Sequence, residues 1–154
     1  VRLKWPNDLL VAGAKAAGIL IESGRREDGG LWLAIGVGLN LVSAPQGLGY
    51  PATSLAAHLG QDLESAPAPE EALAVLSQAV AYWLAAWRSQ GFEPVRMAWL
   101  SSAQGLDRRC VARLGERQIE GVAVDMDADG ALVLRLDSGE LQRITAGDVF
   151  FGST

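Results

Sequence analysis

The chain has 154 residues, of which 49% are hydrophobic and 20% charged, a composition typical of a globular protein with one core or a core plus a small satellite domain. Its formal net charge of −5 argues against a protein that binds a nucleic-acid backbone, which requires a basic surface. The single cysteine, Cys110, excludes an internal disulfide and favours a reducing compartment, so we expect a cytoplasmic location. Its apolar neighbours favour a buried small hydrophobe over a nucleophile.

The first forty residues predict a mostly antiparallel sheet. Apolar, strand-like segments alternate there with turns rich in glycine, proline, asparagine and aspartate. The loop at residues 24–30 has the glycine and aspartate chemistry of a β-hairpin connection. We expect strands at residues 1–5, 8–12, 18–23 and 31–39.

Helices are predicted for the middle of the chain. A short helix is expected after Thr53 or Ser54, either of which could cap it. The sequence Pro-Ala-Pro-Glu-Glu at residues 67–71 is typical of a helix start, and leucines and tryptophans then recur at helical spacing as far as Gly91. We expect this apolar stripe to be core and the long helix to cover the sheet. A last short helix is expected at residues 92–100.

From about Leu106 the pattern changes to short alternating strands joined by turns that contain glycine and aspartate. This pattern is typical of a small barrel or sandwich of five or nearly five strands. We therefore expect two domains, residues 1–105 and residues 106–154. The strands of the second are expected at residues 110–114, 118–126, 131–136 and 141–145.

Only Lys4 and Lys15 among the 13 basic residues are lysines, and both lie in the opening segment. Lysine provides a compact ammonium on a flexible stem, which the planar arginine fork does not replace. Their shared location suggests a functional role, although in a lysine-poor chain it could also be accidental.

The segment Lys-Trp-Pro-Asn-Asp at residues 4–8 combines a cation, an amide and a carboxylate around a bend made by proline. If Asn7 and Asp8 meet at a strand end, they form a polar cluster among apolar strands, and Asp8 offers the hard oxygen ligands that suit magnesium on a phosphate. The alternative is a plain polar turn, since Pro-Asn-Asp is good turn sequence.

A second candidate element is the glycine-rich segment Ile-Gly-Val-Gly-Leu-Asn at residues 35–40. It lacks the third glycine of a dinucleotide fingerprint and the Gly-Lys-Ser/Thr end of a P-loop, so both are rejected. Gly36 and Gly38 would weaken what we take to be a central strand. Either close approach of a flat ligand or tight packing of the long helix could require them.

Three strings, taken together and in order, resemble the biotin protein ligase family. They are Lys-Trp-Pro-Asn-Asp-Leu at residues 4–9, Lys-x-x-Gly-Ile-Leu-Ile-Glu at residues 15–22, and Ile-Gly-Val-Gly-Leu-Asn at residues 35–40. The tail at residues 121–134 and 146–149 is similar to the SH3-like C-terminal module of those ligases. The resemblance covers almost the whole chain. It implies an α/β (α+β) fold, a mixed and largely antiparallel sheet covered by helices and followed by a small SH3-like β-barrel.

Such ligases join biotin to ATP as biotinyl-5′-adenylate and then pass biotin to a lysine of a carboxyl-carrier protein. The resemblance implies that Lys15 contacts the biotin carboxyl group and the adenylate bridge, that Lys4 lies on the phosphate side, and that Asn7 and Asp8 position the adenylate and a magnesium ion. The remaining residues that it implies for the substrate and nucleotide pocket are Trp5, Gly18, Gly36, Gly38 and Asn40.

The chain also departs from the family pattern. It has no Gly-Arg-Gly-Arg loop before residue 4 and none of the upstream residues that hold the biotin ring. Together with a first residue, Val1, that opens directly in strand-like sequence, this predicts the second half of a longer ligase, with a partial catalytic domain at residues 1–105. The alternatives are a non-catalytic module that binds an adenylate or a partner chain, and a lipoate-type acyl ligase. An exposed sheet edge would favour a homodimer or pairing with another chain.

Overall fold

The structure is a computed structural model that describes residues 1–60 and 66–152. Residues 153–154, with which the expected C-terminal domain ends, lie outside this description. The described residues form two compact units, the first containing Val1 and Asn7–Pro69 and the second containing Arg2–Pro6 and the chain from Glu70 onward. The elements are β1 (Arg2–Lys4), β2 (Asp8–Val11), β3 (Ala14–Arg25), β4 (Leu31–Leu39), a 3-10 helix (Ala56–His58), α1 (Pro69–Gln90), α2 (Glu93–Ser102), β5 (Arg109–Leu114), β6 (Arg117–Met126), β7 (Leu132–Arg135), β8 (Leu141–Ile144) and β9 (Asp148–Phe151).

The first unit is built on the antiparallel meander β2–β3–β4, as the alternation of apolar segments and turns predicted. The turn between β2 and β3 lies at Ala12 and Gly13, whose φ values of 49° and 82° are in the left-handed region. The strand β3 therefore begins at Ala14, four residues before the expected start at Gly18. The earlier start places Asp8 opposite Gly18 and Leu10 opposite Lys15 in the register.

The long hairpin β3–β4 pairs in unbroken register from Ala17↔Leu39 to Arg25↔Leu31. Within the described residues, β4 pairs only with β3 and lies at an end of its sheet. The expectation that Gly36 and Gly38 belong to a central strand is therefore wrong. The large apolar side chains that this hairpin exposes are those of Ile19, Leu20, Ile21, Leu31, Trp32, Leu33, Ile35 and Val37.

The loop after β4 folds back onto β3 through backbone and side-chain hydrogen bonds. The backbone N–H of Asn40 donates to Ala16 O at 2.9 Å, and its side-chain amide donates to Thr53 O at 2.9 Å. The expected capping by Thr53 or Ser54 is wrong, because the 3-10 helix has no side-chain cap. Ser54 donates instead to Val42 O, and the Thr53 hydroxyl lies 2.8 Å from His58 Nε2.

The long helix α1 begins at Pro69 with Glu70 and Glu71 in its first turn, as the sequence predicted. None of its residues is buried, and Trp83 and Trp87 are 38% and 53% exposed. The expectation that its apolar stripe is core is therefore wrong. Helical spacing places apolar side chains on one stripe but does not determine what covers that stripe.

The second unit contains a five-stranded antiparallel sheet in the order β8-β7-β6-β5-β9. This confirms the expected number of strands, and residues 110–145 contain no helix. The sequence pattern missed β9, which pairs with β5 from Arg113↔Asp148 to Cys110↔Phe151. Cys110 is 4% exposed, so the expectation of a buried hydrophobe is confirmed. The core of this unit consists of Trp5, Cys110, Ala112, Ile119, Ala123, Met126, Leu132, Leu134, Ile144 and Val149.

In the part of the chain that the structure describes, neither α1 nor α2 is long and apolar enough to cross a membrane.

Candidate functional site

A lysine and an aspartate form an ion pair in the first unit. Lys15 Nζ lies 2.5 Å from Asp8 Oδ1, and the two side chains are 28% and 15% exposed. In the antiparallel register, Asp8 is the first residue of β2 and pairs with Gly18 of β3. Lys15 lies three residues before Gly18 on the same strand. The ion pair thus brings together Asp8 of the first string and Lys15 of the second.

The backbone of Lys15 is held from the side opposite β2. Its N–H donates to Pro51 O at 2.9 Å and its carbonyl oxygen accepts from Thr53 N at 2.9 Å, so residues 51–53 pair with β3 as a short parallel bridge. The ammonium also lies 5.4 Å from the centre of the Tyr50 ring. A cation at this distance from an aromatic face is stabilised by the ring quadrupole. Asp8 and Tyr50 thus restrict where the flexible Lys15 side chain points.

Gly18 provides the space for this lysine. A Cβ atom at position 18 would lie 3.2 Å from both Cε and Nζ of Lys15 and 3.8 Å from Asp8 Oδ1. Side chains therefore pack over the backbone of Gly18 at a separation that leaves little room for a methyl group. This is the one glycine of the site whose presence the neighbouring side chains explain.

Two cavities meet at Lys15, Gly18 and Gly38. The larger has a volume of about 480 Å³ and the smaller a volume of about 250 Å³. The larger is lined by Asn7, Lys15, Gly18, Ile19, Leu20, Gly36, Val37 and Gly38. The smaller is lined by Lys15, Ala17, Gly18, Gly38, Leu39, Asn40, Pro45, Leu48, Tyr50 and Ala52. Lys15 thus lines both cavities, so one ligand that filled both would pass this residue.

Gly36 and Gly38 form part of the strand surface of the larger cavity. A Cβ atom at these positions would meet Leu20 O at 3.8 Å and Gly18 O at 3.9 Å, which are ordinary contact distances. Neighbouring atoms therefore do not require glycine here. Of the two explanations drawn from the sequence, tight packing therefore finds no support among the described residues, and close approach of a ligand stays a prediction.

The amide side chains of Asn7 and Asn40 cross-link the strands around the cavities. Asn7 Nδ2 donates to Ile19 O at 2.5 Å, and Asn7 O accepts from Ile19 N at 2.9 Å. Asn40 donates to Thr53 O, as described above, and lines the smaller cavity. Both amides thus fix the backbone that presents Lys15 and Gly18.

Lys4 and Trp5 belong to the second unit, whereas Asn7 and Asp8 belong to the first. Trp5 is 5% exposed, and its indole N–H donates to Gly130 O at 3.1 Å. A ring so deeply buried and so paired serves packing, and we assign Trp5 to the core rather than to a ligand. Lys4 Nζ lies 5.6 Å from the centre of the Phe150 ring.

The residues present do not fit a magnesium ion held by protein ligands alone. Among residues 1–60 and 66–152, no group of three histidine, cysteine, aspartate or glutamate side chains could hold a metal ion. The Asp8 carboxylate is already paired with Lys15. The assignment of magnesium to Asp8 therefore stays a prediction.

Sequence reasoning missed Tyr50 as a neighbour of Lys15. The only signal was an aromatic residue followed by a proline in the loop at residues 40–50, which is rich in glycine and proline. The contact arises because the bridge at residues 51–53 returns this loop to β3. A pairing between segments so far apart in sequence leaves no pattern in either segment from which it could be predicted.

Two family models match this chain. The model described as biotin protein ligase C terminal domain matches residues 105–152, and the model described as biotin/lipoate A/B protein ligase family matches residues 1–40. Over 151 residues the chain is 40% identical to a biotin–[acetyl-CoA-carboxylase] ligase of Paracoccus denitrificans. The chain belongs to the biotin protein ligase family. It is also 30% identical over 156 residues to a bifunctional ligase/repressor of Bacillus subtilis.

These alignments include 97% of the chain but only 62% of the Paracoccus protein and 46% of the Bacillus protein. The chain therefore spans about half to three-fifths of the family members that it matches. Among solved structures, it is similar to the apo biotin protein ligase of Aquifex aeolicus, with a TM-score of 0.79 over 99% of this chain and 65% of that one. The same enzyme in complex with biotin and ATP gives a TM-score of 0.78 and covers 62% of that chain. At 22% identity, these likenesses establish the fold alone.

Proposed function

We propose that this polypeptide carries the Lys15 part of the acyl-adenylate site of a biotin–protein ligase. The enzyme forms biotinyl-5′-adenylate and pyrophosphate from biotin and ATP, and then transfers biotin to a lysine of a carboxyl-carrier protein. The observation that carries the proposal is the ammonium of Lys15, held by Asp8 above Gly18 at the junction of two cavities.

The first reaction brings two anions together. A carboxylate oxygen of biotin attacks the α-phosphorus of ATP, and the bond from that phosphorus to the pyrophosphate oxygen breaks. A fixed cation beside the reacting oxygens lowers the barrier, because charge develops there in the transition state. A partly exposed ion pair contributes only about 0–1 kcal/mol to stability, so Lys15 can turn from Asp8 to a stronger anion at little cost.

The second reaction removes the activated acyl group. The acceptor amine attacks the carbonyl carbon of the adenylate, and the bond from that carbon to the phosphate oxygen breaks to release AMP. Lys15 stabilises the departing phosphate by the same contact. Asn7, Asn40, Gly18, Gly36 and Gly38 shape the cavity surfaces around it.

The remaining assignments follow from membership of the family. Lys4 acts on the phosphate side, and the acceptor is a carrier domain such as that of acetyl-CoA carboxylase, which the name of the Paracoccus relative supports. We assign residues 1–105 to a partial catalytic domain and residues 106–154 to the SH3-like domain, whose strands would close into a barrel. We place the protein in the cytoplasm, and the exposed strand β4 supports pairing with a second copy or another chain.

Calorimetric titration with a non-hydrolysable biotinyl-adenylate analogue tests this function. We expect Lys15→Ala to weaken binding roughly 10- to 150-fold, because it removes a charged hydrogen bond that contributes about 1.5–3 kcal/mol to the binding free energy. Arg25→Ala, which removes the same charge from the far end of β3, is the matched control and should bind as the unaltered chain does. Equal binding by the unaltered chain and Lys15→Ala would reject the proposal.

One of the matching family models also covers lipoate ligases, so the lipoyl-adenylate analogue is the comparison ligand. We expect weaker binding of that analogue, since the named relatives at 30–40% identity include a biotin ligase and a ligase/repressor. Tighter binding of the lipoyl analogue would favour the lipoate-type reaction.

A further inference from the structure

Thr53 uses three of its polar groups to connect its segment to the walls of the two cavities. Its N–H donates to Lys15 O at 2.9 Å, and its carbonyl oxygen accepts from Asn40 Nδ2 at 2.9 Å. Its hydroxyl lies 2.8 Å from His58 Nε2. Lys15 lines both cavities and Asn40 lines the smaller one. The backbone of Thr53 is therefore bonded to cavity residues, and its side chain is bonded to His58.

These contacts close into a ring. The N–H of Leu55 donates to Asn40 O at 2.8 Å, and the N–H of His58 donates to Leu55 O at 2.9 Å. The hydrogen bonds thus run from Thr53 through Asn40 to Leu55. They return through His58, whose imidazole reaches the Thr53 hydroxyl. In the described structure residues 53–55 belong to no helix or strand, so this ring, rather than a regular ladder, holds their backbone.

The bond between the hydroxyl and the imidazole is the only one of the ring that joins two side chains. A hydroxyl both donates and accepts, so it pairs with Nε2 whether or not that nitrogen carries a proton. His58 is exposed and Thr53 is half-buried, so water competes for this bond and its own strength is modest. Its effect comes from the backbone groups that it keeps in place.

We propose that His58 is a positioning residue of the Lys15 site and that it acts through the hydroxyl of Thr53. With the hydroxyl held, Thr53 presents its N–H to Lys15 O and its carbonyl oxygen to Asn40, so this wall of the smaller cavity is set before a ligand enters. A preformed wall avoids the cost of ordering the segment on binding. The proposal rests on the proposed function for its ligand, whereas the ring itself can be measured without one.

Amide hydrogen exchange of the ligand-free chain tests the ring. The reporters are the N–H of Lys15, which donates to Pro51 O, and the N–H of Leu55. We expect both amides to exchange roughly two- to tenfold faster in Thr53→Val and in His58→Ala, because each change removes one neutral hydrogen bond. Thr53→Ser keeps the hydroxyl and should exchange as the unaltered chain does.

Two further variants separate positioning from a general loosening of the segment. His58→Gln is the rescue variant, because a glutamine side chain also carries an N–H that can donate to Thr53 Oγ1. Ser54→Ala is the matched control, since it removes the neighbouring hydroxyl, which donates to Val42 O. Both should leave the exchange of the Lys15 amide unchanged.

Calorimetric titration of the same variants with the biotinyl-adenylate analogue tests the consequence for binding. We expect Thr53→Val and His58→Ala each to weaken binding roughly two- to tenfold. Thr53→Ser, His58→Gln and Ser54→Ala should bind as the unaltered chain does.

Equal exchange of the reporter amides in Thr53→Val and the unaltered chain would overturn the proposal. Equal losses in Ser54→Ala and Thr53→Val would also overturn it, because the effect would then come from loosening alone. If Lys15→Ala weakens binding and Thr53→Val does not, the proposed function stands and this inference fails. If the unaltered chain does not bind the analogue, the proposed function fails, and faster exchange confined to Thr53→Val and His58→Ala still supports the positioning of Lys15 by His58.

Discussion

Gly18 lies directly beneath the ammonium group of Lys15, at a distance that would leave only 3.2 Å between Lys15 Nζ and a Cβ atom at position 18. Both residues lie on β3, where Asp8 pairs with Gly18 and the register with β2 shifts between Leu9 and Leu10, whose partners are Ala17 and Lys15. The position of the Lys15 ammonium therefore depends on the absence of a side chain three residues further along the strand.

Gly18→Ala is expected to displace Lys15 and to weaken binding of the biotinyl-adenylate analogue about tenfold. A tenfold loss corresponds to about 1.4 kcal/mol, near the low end of the free energy that a charged hydrogen bond contributes. The far end of a lysine moves easily, so the free energy of unfolding should fall by less than about 1 kcal/mol. Calorimetry and urea unfolding provide the two measurements. Gly60→Ala is the control, since a Cβ there meets no atom within 4 Å. Unchanged affinity in Gly18→Ala would show that binding of the analogue does not depend on the space above Gly18.

Biotin-dependent exchange of pyrophosphate into ATP is expected to be slow for the 154-residue chain on its own. Holding a carboxylate against a phosphate with water excluded can supply roughly 7–11 kcal/mol, and the larger cavity beside Lys15 is lined by strand residues that remain exposed. The chain also spans 62% of its Paracoccus relative. Robust exchange that Lys15→Ala abolishes would show that these residues suffice for the reaction.

Cys110 is expected to resist thiol reagents in the folded protein. Burial raises the pKa of its thiol above the ordinary value, so the reactive thiolate is scarce as well as inaccessible. Labelling with a chromogenic disulfide should proceed at the rate of unfolding and should accelerate in urea. Rapid labelling without denaturant would contradict the packing of β5 against its neighbours.

The turn between β6 and β7 provides a pH-dependent test. Asp127 Oδ1 accepts from the backbone N–H of Asp129 and Ala131, and Arg143 Nε lies 2.5 Å from its other oxygen. The hydrogen bond from Arg143 holds the pKa of Asp127 below its ordinary value. A carboxyl group whose pKa is lowered by folding stabilises the fold above its unfolded pKa, and this contribution is lost as the pH falls through the folded pKa.

Arg143→Gln should therefore be less stable than the unaltered chain at neutral pH. The difference should shrink as the pH falls from the pKa of an unfolded aspartate, about 4, through the lowered pKa of Asp127 in the fold. Thermal unfolding followed from pH 7 to pH 2.5 measures it. Arg135→Gln on β7 is the charge-matched control and should show no such convergence. A stability difference for Arg143→Gln that is constant across this range would remove Asp127 as its cause.

Local sequence patterns predicted the strands and the main helix, because alternation, turn residues and the Pro-Glu-Glu start act over a few residues. The Lys15–Asp8 pair is also a local feature, since both residues belong to the β2–β3 hairpin and lie seven residues apart in sequence. Burial was predicted less well. The stripe of Trp83 and Trp87 is exposed, because periodicity does not reveal what covers a helix.

Contacts between distant segments were also beyond local patterns. Tyr50 reaches Lys15 through the bridge to residues 51–53, and Phe150 reaches Lys4 across most of the chain. The strand β9 was missed because it is only four residues long, so its alternation is too short to distinguish from loop. Its existence depends on pairing with β5.

The most direct test of the Lys15 site uses the chain labelled with [ε-13C]lysine and titrated with the biotinyl-adenylate analogue. We predict that the Lys15 signal shifts saturably, with the same affinity that calorimetry gives. We also predict a smaller shift in Asp8→Ala and in Gly18→Ala, because each change should displace the ammonium. Binding of the analogue with no change at Lys15, or no binding at all, would contradict the assignment of this site.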